Sequence, residues 1–150
     1  MALEVFRKFV RLPSRDRAVL TRTVLTLAAA RLATWVLPFD VGRRLLVGKQ
    51  RAGVATVTRD QVRWAMAQAS RVVPGATCLP QALAAESVLN RGGVAADMHI
   101  GIMKTPAGRF LAHAWVESDG RIVVGDLPEL AAYTRLPNLP KVWPGSRGSS

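Results

Sequence analysis

Three residues in the second half of this chain carry side chains that together can do acyl chemistry: the single cysteine, Cys78, a histidine, His113, and an aspartate beyond it, Asp126. A thiolate attacks a carbonyl, an imidazole moves protons near neutral pH, and a carboxylate fixes the imidazole's tautomer. Residues 110–126, FLAHAWVESDGRIVVGD, read as two strands joined at Asp119-Gly120, a dipeptide suited to a tight turn with positive φ at both positions. Counted outward from a Ser118–Arg121 pair, Asp126 falls directly across from His113, where Cβ atoms of opposed residues lie roughly 4.5–5.5 Å apart. A slip of one residue brings Gly125 there instead. Cys78 opens a predicted helix, whose unpaired amides and positive dipole end favour the thiolate and can hold an oxyanion. Each residue alone also suits a plainer role. A lone cysteine is a small buried hydrophobe, and a strand histidine beside Trp115 can simply pack a sheet.

The elements that must position these groups follow from the pattern. Ser14, after Pro13, is expected to N-cap a long helix to about Leu37, where Pro38 stops it. Asp40 can cap a short helix through VGRRLLVG. A helix over 59–71 places Val62, Ala65, Met66 and Ala69 on one stripe. After VVPGAT, a helix runs from Cys78 to Asn90. Pro80 falls in its first turn, where no intrahelical donor is lost, and Gly92-Gly93 ends it. From Val94 the period becomes two, with Ala96, Met98, Ile100 and Ile102 on one face. KTPAG is a loop, followed by strands over 109–118 and 121–126, the last ended by Pro128. The class is α+β: a helical N-terminal half, then the cysteine-bearing helix against a small antiparallel sheet. One domain spans 1–145, helical over 1–75 with the helix and three strands over 76–128, and 146–150 is expected to be a disordered tail.

Composition bounds the setting. At 150 residues with 49% hydrophobic content, the chain can bury a core without staples. One cysteine makes no internal disulfide, which fits a reducing, cytoplasmic compartment. The basic first 23 residues lack the apolar core and cleavage site of a secretory signal. The longest apolar stretch, residues 24–39, is interrupted by Arg31 and falls short of the ~20 residues of a bilayer span, so a buried or partly interfacial helix is expected. The net charge of +11 is uneven: residues 1–75 hold fourteen Lys and Arg against four Asp and Glu, and residues 76–150 seven against six. Such a surface is either simply solvated or attracts an acidic partner. Nucleic acid is not expected, since the arginines lack interleaved aromatics or a recognisable motif.

Other candidates are weaker. Glu117 shares His113's strand face and is a substitute orienting acid, although Ile122 lies opposite it. Asp119 belongs to the turn. His99 alternates with apolar residues and reads as structural, and Trp115 as sheet packing. No metal or cofactor is expected, because two histidines and one cysteine lack ligand spacing. GRRLLVGKQ has the wrong glycine spacing for a phosphate loop, and Gln50 replaces its Ser/Thr.

The stretch CLPQALAAESVLNRGGVAADMHIGI, followed by FLAHAWVESDGRIVVGD, resembles the transglutaminase-like leader peptidases of lasso-peptide biosynthesis. The shared features are Cys-Leu opening the helix, glycine after it, an Ile-Gly strand, Ala-His-Ala-Trp-Val-Glu and a downstream Asp. The close match covers about 78–126, and PGATCL and LPFDVGRRL before it are similar in character. The resemblance implies a transglutaminase-like or papain-like core. It implies a cysteine protease that removes the leader from a ribosomal precursor and frees an amine for a lasso cyclase. By position Cys78 takes the nucleophile's place, His113 that of the general base and acid, and Asp126 that of the orienting acid. No strand-rich segment precedes Cys78, so the split form is implied, with the leader bound by a separate recognition protein (a RiPP recognition element). The basic half is expected to meet that protein, the leader or the cyclase, with peripheral membrane contact a further partner. Papain-like enzymes often place an oxyanion-donating Gln shortly before the cysteine. RVVPGAT has none, and Gln61, Gln68 and Gln81 are the nearest amides. Acyl transfer to an amine, as in transglutaminases, and a non-catalytic basic peptide-binding module remain open alternatives.

Overall fold

The computed structural model describes residues 2–47 and 50–137. The expected tail over 146–150 and the domain's end at 145 lie outside the described residues. Five helices, α1 (Ala2–Val10), α2 (Ser14–Val36), α3 (Phe39–Leu46), α4 (Arg59–Val72) and α5 (Cys78–Arg91), precede four strands: β1 (Asp97–Lys104), β2 (Phe110–Ser118), β3 (Arg121–Val124) and β4 (Thr134–Arg135). The antiparallel sheet has the order β3-β2-β1-β4. The class is α+β.

α5 is the hub. Leu83, Val88 and Leu89 are fully buried, and nearly every residue from Pro80 to Asn90 is enclosed, the polar Glu86, Ser87 and Asn90 among them. Its stop is glycine-dependent. Gly93 at φ +84 lets its own amide bond Asn90 O and the Val94 amide bond Leu89 O, closing the helix in a Schellman turn. α2 and α4 pack on α5 from outside, and β2 packs on it from the sheet side. In α4 the stripe of Val62, Ala65, Met66 and Ala69 is buried. Its start carries a feature that sequence reading passed over: Thr58 and Gln61 cap each other's amides in a capping box.

Two expected caps are corrected. Pro13 and Pro38 take the N-cap positions of α2 and α3, leaving Ser14 and Asp40 inside the first turn. The carbonyls of both prolines accept the first intrahelical bonds, from Arg17 and Gly42. A proline there has a preset φ and no amide that needs a partner. Three elements were not expected at all: α1, a 3-10 turn at Leu130–Ala132, and the two-residue strand β4, which pairs with Gly101 and Ile102.

Buried polar groups fix how α5 lies on the sheet. Asn90 clamps both backbone groups of Ala96, its Nδ2 donating to the carbonyl and its Oδ1 accepting from the amide, each at 3.1 Å. One turn earlier, the enclosed Glu86 accepts from the Met98 amide at 3.3 Å and pairs with Arg43 of α3 at 2.8 Å. Thus α5 runs antiparallel to β1.

Candidate active site

The hairpin forms as its turn dictates. Asp119 and Gly120 have φ of 52° and 71°, and Ser118 pairs with Arg121. Beyond that the expected register fails. Glu117 pairs with Ile122 but Val116 pairs with Val124, so Val123 is a bulge. Val123 and Val124 are both buried, which strict alternation would forbid; the extra residue lets consecutive valines turn inward. Pairing ends at Val124, and Asp126 does not stand across from His113. Gly125 turns the chain at φ +86 so that its carbonyl lies 2.7 Å from His113 Nε2.

That contact settles the neutral ring's tautomer. A carbonyl only accepts, so Nε2 carries the hydrogen and Nδ1 holds the lone pair. Nδ1 is therefore the ring nitrogen left with an acceptor lone pair. The Asp126 carboxylate is exposed, and among the described residues it forms no hydrogen bond or ion pair.

The rest of that sheet face is tightly built. The Trp115 ring is enclosed and lies over Gly101, where a Cβ would come within 3.0 Å of the indole and of Tyr133 Cβ. His113 stacks on Trp115 at a centroid distance of 6.3 Å and a 13° tilt, and meets the Tyr133 ring at 5.8 Å. His99 lies 5.7 Å from Trp115 and reaches Glu117 at 3.6 Å. Glu117 also accepts from Trp115 Nε1 at 3.0 Å and pairs with Arg135. Its carboxylate is thus engaged away from His113. His99 and Trp115 have the packing roles expected of them. Tyr133 was not anticipated, because the short segment carrying it shows no periodicity.

Cys78 is half-buried at the first residue of α5, packed against the core that includes Ala114 and Val116. The pitch of α5 on the sheet gives its height. Four helix residues advance roughly 6 Å, as do two strand residues. Asn90 lies level with Ala96 and Glu86 with Met98, so the same pitch brings Cys78 level with Ile102 and its partner Ala112. The next pair along is Gly101–His113. No hydrogen bond or ion pair joins Cys78, His113 and Asp126 among the described residues. Alternation turns His113 to the face opposite Ala114, beside the β2 edge left open where β3 stops. The Cys78 thiol makes no hydrogen bond among the described residues.

The surroundings of Cys78 suit an oxyanion at the helix start. Thr77 at the N-cap makes no side-chain bond, so the Cys78 and Leu79 amides have no capping side chain. Gln81, one of the three nearby amides, donates from Nε2 to Ala76 O at 2.7 Å and so braces the turn before the cysteine. Gln61 is spent on the α4 capping box and on Asp16. The Arg31 guanidinium lies against Gly75 in the same turn, and its enclosed Nε has no acceptor among the described residues. No group of three or more His, Cys, Asp or Glu gathers as for a metal among the described residues.

The chain thus has a helix opened by its one cysteine, packed on an antiparallel sheet that carries an oriented histidine. The chain belongs to the transglutaminase-like superfamily, whose sequence pattern matches residues 16–138, from α2 past β4. That superfamily includes cysteine proteases and acyl transferases. No curated protein and no solved structure matches the chain.

Proposed function

We propose that this chain is a cysteine endopeptidase that cleaves the leader from a ribosomally made lasso-peptide precursor. Cys78 is the nucleophile, His113 the general base and acid, and Asp126 the acid that supports His113. The observation that carries the reading is the combination of CLPQALAAE, AHAWVE and a downstream Asp within a transglutaminase-like chain. The Nε2–H of His113, held by Gly125 O, supports it by leaving Nδ1 free to take a proton.

In this mechanism the Cys78 thiol gives its proton to His113 Nδ1, and the sulfur attacks the scissile carbonyl. First-turn amides of α5 hold the oxyanion. His113 then protonates the departing amine, which becomes the free end of the core peptide, and the leader stays as a thioester. Water, deprotonated at Nδ1, releases the leader as an acid and restores the thiol. Asp126 follows Gly125, whose carbonyl orients the ring, and is the acid this reading assigns to support it. A separate recognition protein presents the leader, and the freed amine passes to a lasso cyclase.

The test incubates the chain with precursor and recognition protein and reads intact masses. The expected result is two fragments whose masses add to the precursor plus one water, lost in Cys78→Ala with precursor binding retained. Joined species in place of fragments would assign acyl transfer, and undiminished cleavage by Cys78→Ala would remove the thiol mechanism altogether.

A further inference from the structure

Helix α1 poses a physical problem that the proteolytic reading leaves untouched. It is nine residues long, below the roughly 12–15 at which an isolated helix becomes marginal in water, and it packs only weakly on the other elements. Its apolar residues Leu3, Phe6 and Val10 recur at helical spacing on one side, yet Leu3 is 78% and Phe6 64% exposed. Arg7 flanks that side, one turn from Leu3 and Val10, and Lys8 lies on the other. α2 continues the pattern. Its inner face, Val19, Thr23, Leu27 and Ala30, is buried in the domain, while outward-facing Leu25, Leu32, Trp35 and Val36 are exposed, Trp35 to 77%. Between the two helices Phe9 and Leu25 line one shallow groove of about 490 Å³ with Arg17 and Arg22.

We propose that the outer face of α1 and α2 docks in the plane of an anionic lipid surface. α2 is long and apolar enough to cross a bilayer, but its inner face is committed to the core, so only its outer face is available while the fold stands. The exposed face is flanked by Arg7, Arg11, Arg15, Arg17 and Arg22, against Glu4 and Asp16 as the only acids in residues 1–36. A second copy would set these like charges against each other. A fluid headgroup layer moulds to convex helices, accepts arginine heads while their stems lie along the apolar boundary, and seats tryptophan at its interface. Lipid also supplies the burial that α1 lacks.

The test floats the full-length chain with vesicles of phosphatidylcholine alone or mixed with phosphatidylglycerol. The probes are Phe6→Glu and Trp35→Glu, both at exposed positions, with circular dichroism confirming that they fold. Binding to the anionic vesicles is expected, and each substitution should weaken it by roughly tenfold or more, as losing one buried aromatic implies. No binding to anionic vesicles would overturn the proposal. So would equal binding by both variants, which would mean adsorption through arginines alone. A stable dimer dissociated by the same substitutions would assign the face to self-association instead.

Discussion

Replacing Gly125 with alanine tests how His113 is held. The backbone there has φ +86, and a Cβ would lie 2.7 Å from Ala114 O, 2.8 Å from Trp115 Cβ and 2.9 Å from Trp115 Cα. The left-handed conformation alone costs a residue with a Cβ about 1–2 kcal/mol. None of the three contacts is the free end of a flexible side chain, so the chain after β3 must move and release its carbonyl from His113. Losing that bond adds roughly 0.5–1.5 kcal/mol. With the displaced contacts, a destabilisation of about 2–4 kcal/mol is expected, or a fall in Tm of roughly 4–16 °C for a chain of this size. Gly120→Ala is the control: its φ is +71, but nothing lies within 4 Å of an added Cβ, so only the conformational cost applies. Thermal unfolding of both variants gives the difference, and ¹⁵N chemical shifts of the imidazole report whether Nε2–H persists. A Gly125→Ala protein as stable as Gly120→Ala, with the tautomer unchanged, would refute the reasoning.

Two further substitutions probe the frame around the site. Glu86→Ala removes the enclosed partner of Arg43 and the acceptor for the Met98 amide, and a loss of roughly 3–5 kcal/mol is expected in urea unfolding; a loss below 1 kcal/mol would mean that the pair does not anchor α5 to β1. Thr58→Ala removes half of a capping box and should cost about 1 kcal/mol, read from the same unfolding curves. No change there would mean that α4 is held by packing alone.

The parts of the fold that sequence reading anticipated are those set by local chemistry. Asp119-Gly120 dictates its turn, the Val62–Ala69 stripe dictates a buried face, and Gly92-Gly93 dictates the end of α5. The cross-strand register depended on alternation continuing through residues 122–124. Three successive apolar residues there were the signal of a bulge, and the bulge shifts Asp126 out of line with His113. α1 was missed because no capping residue precedes its stripe, and β4 because two residues carry no period. The height of Cys78 on the sheet was not legible at all. The seat of α5 on β1 is set by Asn90 and Glu86, whose partners are backbone groups brought near only by the tertiary fold.

The proposed mechanism requires the Cys78 thiol and the His113 imidazole to act as a pair. Because the chain has one cysteine, its alkylation by iodoacetamide reports on Cys78 alone. At pH 7, where an unassisted thiol is a few per cent ionised, the rate for the parent chain should exceed that of His113→Gln by on the order of tenfold. Equal rates, with both proteins folded, would contradict the claim.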